Sequence, residues 1–235
     1  IHTHPIKRDS DIRAALARGV RVFVADNPDE LRKFVPYARE AEVLLRVSFR
    51  SPGAVSDLSR KFGCDPEALL TLARRAKDLG LCVRGLSFHV GSQAPDPGKH
   101  VEAIEACTKL LAAARREKLG PCDTLDIGGG FPIKNSLSFA YDYEYMAEEI
   151  ISQIKQICNA EGIEEPHIFT EFGSYTVGES GATFYSIMGE KKQNDREKWY
   201  MIDSSFMTTL PDAWAINKRF IIGGNRDATF HFDKR

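Results

Sequence analysis

Three short runs concentrate the residues of this chain that can do chemistry. They are Ser87-Phe88-His89-Val90-Gly91-Ser92, Asp126-Ile127-Gly128-Gly129-Gly130-Phe131-Pro132 and Thr170-Glu171-Phe172-Gly173-Ser174-Tyr175. Each closes an apolar stretch with the pattern of a β-strand. His89 offers a planar base, Gly128, Gly129 and Gly130 offer backbone amides that no side chain obstructs, and Glu171 offers an acid. A base, an anion cradle and an acid at the carboxyl ends of successive strands are what a cofactor site on a parallel βα barrel requires.

Each residue also has a plainer reading, and the sequence leaves both open. A neutral His89 imidazole can lie flat against an aromatic cofactor while Ser92 offers its hydroxyl to a phosphate. It can equally be a buried histidine bonded to a backbone carbonyl. The glycine run can cup an anion, but it lacks the G-x-G-x-x-G spacing and no helix starts directly after it, so a tight turn is the alternative. Glu171 at roughly 4 Å from a protonated ring nitrogen would gain about 4 kcal/mol before desolvation. As a structural acid it would pair with Arg46 instead. Asp203, ahead of Ser204 and Ser205, can hold a cationic substrate or cap a turn.

A repeating frame must position these residues. Val20–Ala25, Val43–Val47, Val83–His89, Thr124–Ile127 and His167–Thr170 have strand patterns, and Ile1–Thr3 is expected to be the tail of a further strand. Helical periodicity fills Asp9–Gly19, a segment from Asp29, Asp65–Gly80, Gly98–Lys118 and Tyr143–Ala160. Strands alternating with helices in this way predict parallel pairing through right-handed crossovers. Chemistry at every strand end favours an α/β fold of the (β/α)8 TIM-barrel type, without its N-terminal strands, over a doubly wound sheet whose site sits at one switch point. From about Gly178 the strand-like runs Phe184–Met188, Trp199–Ile202 and Phe220–Ile222 follow with no helices between them. The expected domains are an incomplete barrel over residues 1–178 and the start of a β-rich C-terminal domain over 179–235.

Lys and Arg total 32 against 33 Asp and Glu, a net charge of -1, which gives no electrostatic reason for a nucleic-acid or anionic-membrane partner. No apolar run approaches the roughly 20 residues of a membrane span, and the N-terminus lacks a signal-peptide pattern. The 5 cysteines are widely spaced without a C-x-x-C pair, and the histidines show no ligand spacing. Reduced structural thiols and no metal site are expected. The balance predicts a soluble cytoplasmic protein.

The three runs, with Arg46 in Leu44-Leu45-Arg46-Val47 and the stretch Leu58-Ser59-Arg60-Lys61-Phe62-Gly63, resemble the barrel domain of the alanine-racemase-like pyridoxal-phosphate decarboxylases that act on ornithine, diaminopimelate and arginine. The resemblance covers residues 1 to about 220. The stretch from Ser204 to Trp214 looks most like bacterial biosynthetic arginine decarboxylases. It implies pyridoxal 5'-phosphate as cofactor, with His89 stacked on the ring, Arg46 nearby, Ser92 and Gly128–Gly130 on the phosphate, Gly173 beside the same cofactor, and Glu171 on the ring nitrogen. Asp203 matches the position that contacts the substrate's distal cation. A basic amino-acid substrate, a homodimer and a role in polyamine synthesis are implied, arginine being favoured over ornithine, lysine and diaminopimelate.

The chain also departs from that family. The lysine that joins the family's cofactor sits on the first barrel strand; this chain is expected to begin after it, and none of its lysines stands in a matching context. Ser174 occupies the place where many relatives carry an arginine for the phosphate. The C-terminal cysteine and tyrosine motifs are not visible, and Gly223–Arg235 matches nothing in the family. The expectation is part of a longer active enzyme, the alternatives being a non-catalytic regulatory homologue or a racemase of the same fold.

Overall fold

The computed structural model describes residues 1–50, 54, 57–94, 96, 98–133, 143–178, 180–194, 196–215 and 220–221. Five strands, β1 (Val22–Ala25), β2 (Glu42–Val47), β3 (Cys82–Phe88), β4 (Thr124–Asp126) and β5 (His167–Phe169), form one sheet in the order β1-β2-β3-β4-β5. All four pairings are parallel. Spatial order follows chain order without a reversal, as in a barrel sector; a doubly wound sheet reverses at its switch point.

The helices are α1 (Asp9–Ala17), α2 (Pro28–Phe34), α3 (Leu69–Asp78), α4 (Gly98–Arg116) and α5 (Tyr143–Glu161), and α2 to α5 pack in sequence against one another. Their ends follow from local chemistry. Asn27 caps α2 by accepting the Glu30 N–H, and Pro28 fills the first helical position, where a missing N–H costs nothing. Helix α3 buries Leu69, Leu72, Ala73 and Ala76 on one face, and α5 buries Met146, Ile150, Ile154 and Ile157. The expected strand at Ile1–Thr3 is only a parallel bridge between His2 and Phe23. Pro5, three residues on, has no N–H with which to extend a ladder.

Within the sheet, Ala25, Leu45, Leu86, Leu125 and Ile168 share one register row. Leu45, Leu86 and Leu125 are fully buried, each stabilising the fold by roughly 2 kcal/mol. One residue further toward the carboxyl ends, the row becomes polar: Arg46, Ser87 and Asp126, all buried. The core thus hands directly to a charged layer.

The chain divides into two compact units, Ile1–Pro132 with Asp142–Gly173, and Ile133–Tyr141 with Ser174–Arg235. The second contains an antiparallel pair, β6 (Ile187–Lys192) and β7 (Lys198–Ile202), and two single-turn helices, α7 (Phe206–Thr209) and α8 (Asp212–Ala215). The strand expected from Phe184 starts at Ile187, because Tyr185 packs edge-on against Phe206 instead of joining the ladder. Phe220 and Ile221 form no strand; Ile222 and Gly223–Arg235 lie outside the described residues. No helix among the described residues is long and apolar enough to cross a membrane, and no group of His, Cys, Asp and Glu among them could hold a metal ion.

Candidate cofactor site at the strand ends

Directly after β3, the backbone turns so that the Gly91 N–H donates to His89 Nδ1 at 2.9 Å. That nitrogen is therefore an acceptor, and the proton of a neutral ring sits on Nε2. Burial, the Arg46 charge and His100 push the His89 ring down to about 4, so it is uncharged near neutral pH. The expectation of a neutral imidazole at this strand end agrees with this geometry, although its backbone partner is an amide and not a carbonyl.

The glycines follow β4, and each is required by a neighbouring backbone. A Cβ on Gly128 would lie 2.2 Å from the Phe88 carbonyl, one on Gly129 2.6 Å from the Glu171 carbonyl, and one on Gly130 2.1 Å from the Gly91 carbonyl. Gly128 and Gly130 also have φ of 64° and 90°, the left-handed region where a side chain is strained. The run is wedged between the ends of β3 and β5, held by Glu171 N–H to Gly128 O at 2.8 Å and Ala94 N–H to Gly130 O at 2.8 Å. Gly129 and Gly130 N–H groups donate to no protein acceptor among the described residues. Tight turn and amide cradle are thus one arrangement, and its free donors suit an anion.

Glu171 follows β5 and is half-buried. Its carboxyl shares a hydrogen bond with Asp126, the last residue of β4. Asp126 also accepts from Ser87 Oγ at 3.1 Å and from the Gly128 N–H at 3.0 Å. Burial first, then the Glu171 charge, push Asp126 up to about 7. Two carboxyls in contact resist being ionised together unless a cation joins them, so a proton is retained at Asp126.

Arg46 is the nearest cation in the row, buried with its guanidinium over the Phe62 ring at 5.0 Å. Burial draws it below arginine's ordinary range while the charges of Glu171, Asp26 and Asp126 oppose that. No ion pair joins Arg46 to Glu171 among the described residues, so the plainer reading of Glu171 as the partner in a structural salt bridge is not met; the stack on Phe62 holds the guanidinium instead.

His89, Gly128–Gly130, Glu171 and Arg46 therefore come together at one end of the sheet. Ser92 lies on the loop that runs beside Gly130. Gly173 opens the short helix α6 (Gly173–Val177), where a Cβ would meet nothing within 4 Å, and its N–H bonds back to Glu171 O at 2.8 Å. Asp203 belongs to the second unit, where its Oδ1 accepts the Ser186 N–H at 3.0 Å. Asp126 and Ser87 were missed as site residues, although an acid ending a strand just before a glycine run was a usable signal. His100, whose Nε2 lies 3.2 Å from Gly129 O, carried no signal inside a helical pattern.

Comparison with known proteins gives the chain's family. Residues 1–178 match the family model described as pyridoxal-dependent decarboxylase, pyridoxal binding domain. The chain is 31% identical over 230 residues to the lysine/ornithine decarboxylase of Selenomonas ruminantium, covering 96% of this chain and 57% of that protein. Among solved structures, the lysine/ornithine decarboxylase of Vibrio vulnificus complexed with cadaverine superposes with a TM-score of 0.80 at 35% identity, over 94% of this chain and 55% of that one. The arginine decarboxylase of Paramecium bursaria Chlorella virus bound to agmatine gives 0.75 at 25% identity, over 90% and 55%. The chain thus spans a little over half the length of these relatives.

Proposed function

This chain belongs to the pyridoxal-dependent decarboxylase family, and on that premise we propose that it forms the cofactor-binding part of an enzyme that decarboxylates a basic amino acid. The observation that carries the proposal is the Asp126–Glu171 carboxyl pair, set at the same sheet end as a neutral imidazole and two free backbone amides. The residues present fit pyridoxal 5'-phosphate. The amides of Gly129 and Gly130, with the Ser92 hydroxyl, would hold the phosphate. Neutral His89 would lie against the ring without opposing its positive charge, and Glu171 would meet the ring nitrogen, with Asp126 behind it. Gly173 would sit close to the same end, and Arg46 would flank the ring.

When bound, the cofactor supplies an electron sink for the pair left as carbon dioxide departs. The protein's part is to keep that sink protonated. Glu171 holds a proton at the ring nitrogen, and a pair with Asp126 keeps negative charge at that point, where it favours the protonated ring. The buried Arg46 remains stacked on Phe62 and so does not neutralise Glu171 by direct pairing.

Asp203, with its position in the family resemblance, is proposed to contact the distal cation of the substrate. The Ser204–Trp214 stretch supports arginine, whereas lysine and ornithine suit the bacterial relatives named above. A homodimer in the cytoplasm, serving polyamine synthesis, completes the reading; free thiols at all five cysteines suit a reducing compartment.

The test is carbon dioxide release by the full-length protein from carboxyl-labelled arginine, lysine and ornithine, with and without added pyridoxal phosphate. Cofactor-dependent release from one of them is expected. Cofactor uptake with no release from any would mark a non-catalytic homologue.

A further inference from the structure

His100 lies in the first turn of α4 with no exposure to solvent. Its Nε2 is 3.2 Å from the Gly129 carbonyl, and its ring is stacked on Phe131 with centroids 4.6 Å apart. A carbonyl only accepts, so Nε2 carries the proton, and Nδ1 is left as a bare acceptor. That Nδ1 is buried without a partner. An orphaned buried acceptor is costly, and a phenyl ring would stack on Phe131 without incurring that cost. What the imidazole adds over a phenyl is the donor to Gly129 O.

That bond fixes the direction of one peptide. In a trans peptide the C=O and the following N–H point opposite ways, and the chain has no cis bonds among its described residues. Holding the Gly129 carbonyl against α4 therefore turns the Gly130 N–H away from the helix. Glycines have the widest backbone freedom, so a Gly-Gly-Gly run needs an external anchor to keep its amides aligned. Gly128 O is held by Glu171 and Gly130 O by Ala94; His100 supplies the third anchor, on Gly129.

We infer that His100 is a positioning residue that locks the Gly129–Gly130 peptide in the orientation in which its amide receives the cofactor's phosphate. The inference rests on the cofactor reading above, and the test separates the two. In the full-length protein, dissociation constants for pyridoxal phosphate and for pyridoxal, which lacks the phosphate, are measured for the parent, His100→Phe and His100→Gln. Amide exchange at Ala94 and Glu171 is followed without cofactor. His100→Phe keeps the ring stack and should weaken pyridoxal phosphate about threefold to tenfold, leave pyridoxal unchanged, and quicken exchange at both amides. His100→Gln, whose terminal amide reaches as far as Nε2, should restore both the pyridoxal phosphate affinity and the slow exchange. Unchanged exchange and affinity in His100→Phe, or equal losses for both ligands, would overturn the inference. A parent protein that takes up neither compound would sink the cofactor reading, and the exchange data would still decide whether His100 locks the loop.

Discussion

Asp126 and Glu171 meet carboxyl to carboxyl across the ends of the adjacent strands β4 and β5. The contact is built by register. Asp126 pairs with Phe169, and the chain then needs two residues to bring Glu171 beside it, with the Glu171 N–H bonded to Gly128 O. A site that tolerates two such acids is made for a cation, and the one buried arginine of the row is held elsewhere by Phe62.

The first prediction concerns pH. Asp126 stands at about 7 in the folded protein against 3.8 when free. Between those values the folded protein holds more protons at this carboxyl than the unfolded chain does, so stability falls as pH rises through the window. Asp126→Asn keeps an acceptor for Ser87 and removes the titration. Urea unfolding of the cofactor-free proteins from pH 4.5 to 8 should show the parent losing stability relative to the variant, by at most about 1.4 kcal/mol per pH unit. Parallel curves would mean that Asp126 titrates normally.

Gly130→Ala should both destabilise the fold and impair the cradle. The new Cβ would meet the Gly91 carbonyl at 2.1 Å, at a φ of 90°. A loss of at least about 2 kcal/mol in chemical unfolding is expected, with weaker pyridoxal phosphate binding. Gly173→Ala, with open space around it, is the control and should change stability little.

Much of this frame was legible in the sequence. Strand β2 carries the unbroken apolar run Val43–Leu45 because both faces are covered, and α3 to α5 announce themselves by period. What escaped depends on contacts between segments far apart in sequence. That Arg46 stacks on Phe62 and forms no ion pair with Glu171 needs the loop after β2 folded in place. The His100 anchor needs α4 placed over a loop some 29 residues later. The two short helices after β7 have only single turns, too few residues for a periodic pattern.

A buried pair elsewhere offers a stability test independent of function. Lys7 Nζ lies 3.1 Å from Glu30 Oε1 and bonds the carbonyls of Val24 at 2.6 Å and His4 at 2.9 Å. Lys7→Met strips a cation from two buried acceptors and a part-buried one and should cost about 3–5 kcal/mol. Adding Glu30→Leu should recover part of the loss. A double variant less stable than the sum of the two single variants would contradict the pairing.

Asp203 separates charge from local structure. Asp203→Asn can still accept the Ser186 N–H, so the hairpin end should stay intact while the charge is lost. The expected result is a substrate KM raised roughly tenfold or more with cofactor affinity unchanged. A defect confined to cofactor affinity would remove Asp203 from substrate contact.

The central claim is that Glu171 keeps the cofactor's ring nitrogen protonated. Its most direct test is the carbon dioxide release rate of the full-length protein carrying Glu171→Ala, saturated with pyridoxal phosphate, with the fold checked by circular dichroism. The account predicts a cofactor still bound through the glycine amides and a rate lower by at least about a hundredfold. A Glu171→Ala protein that decarboxylates at the parent's rate would contradict it.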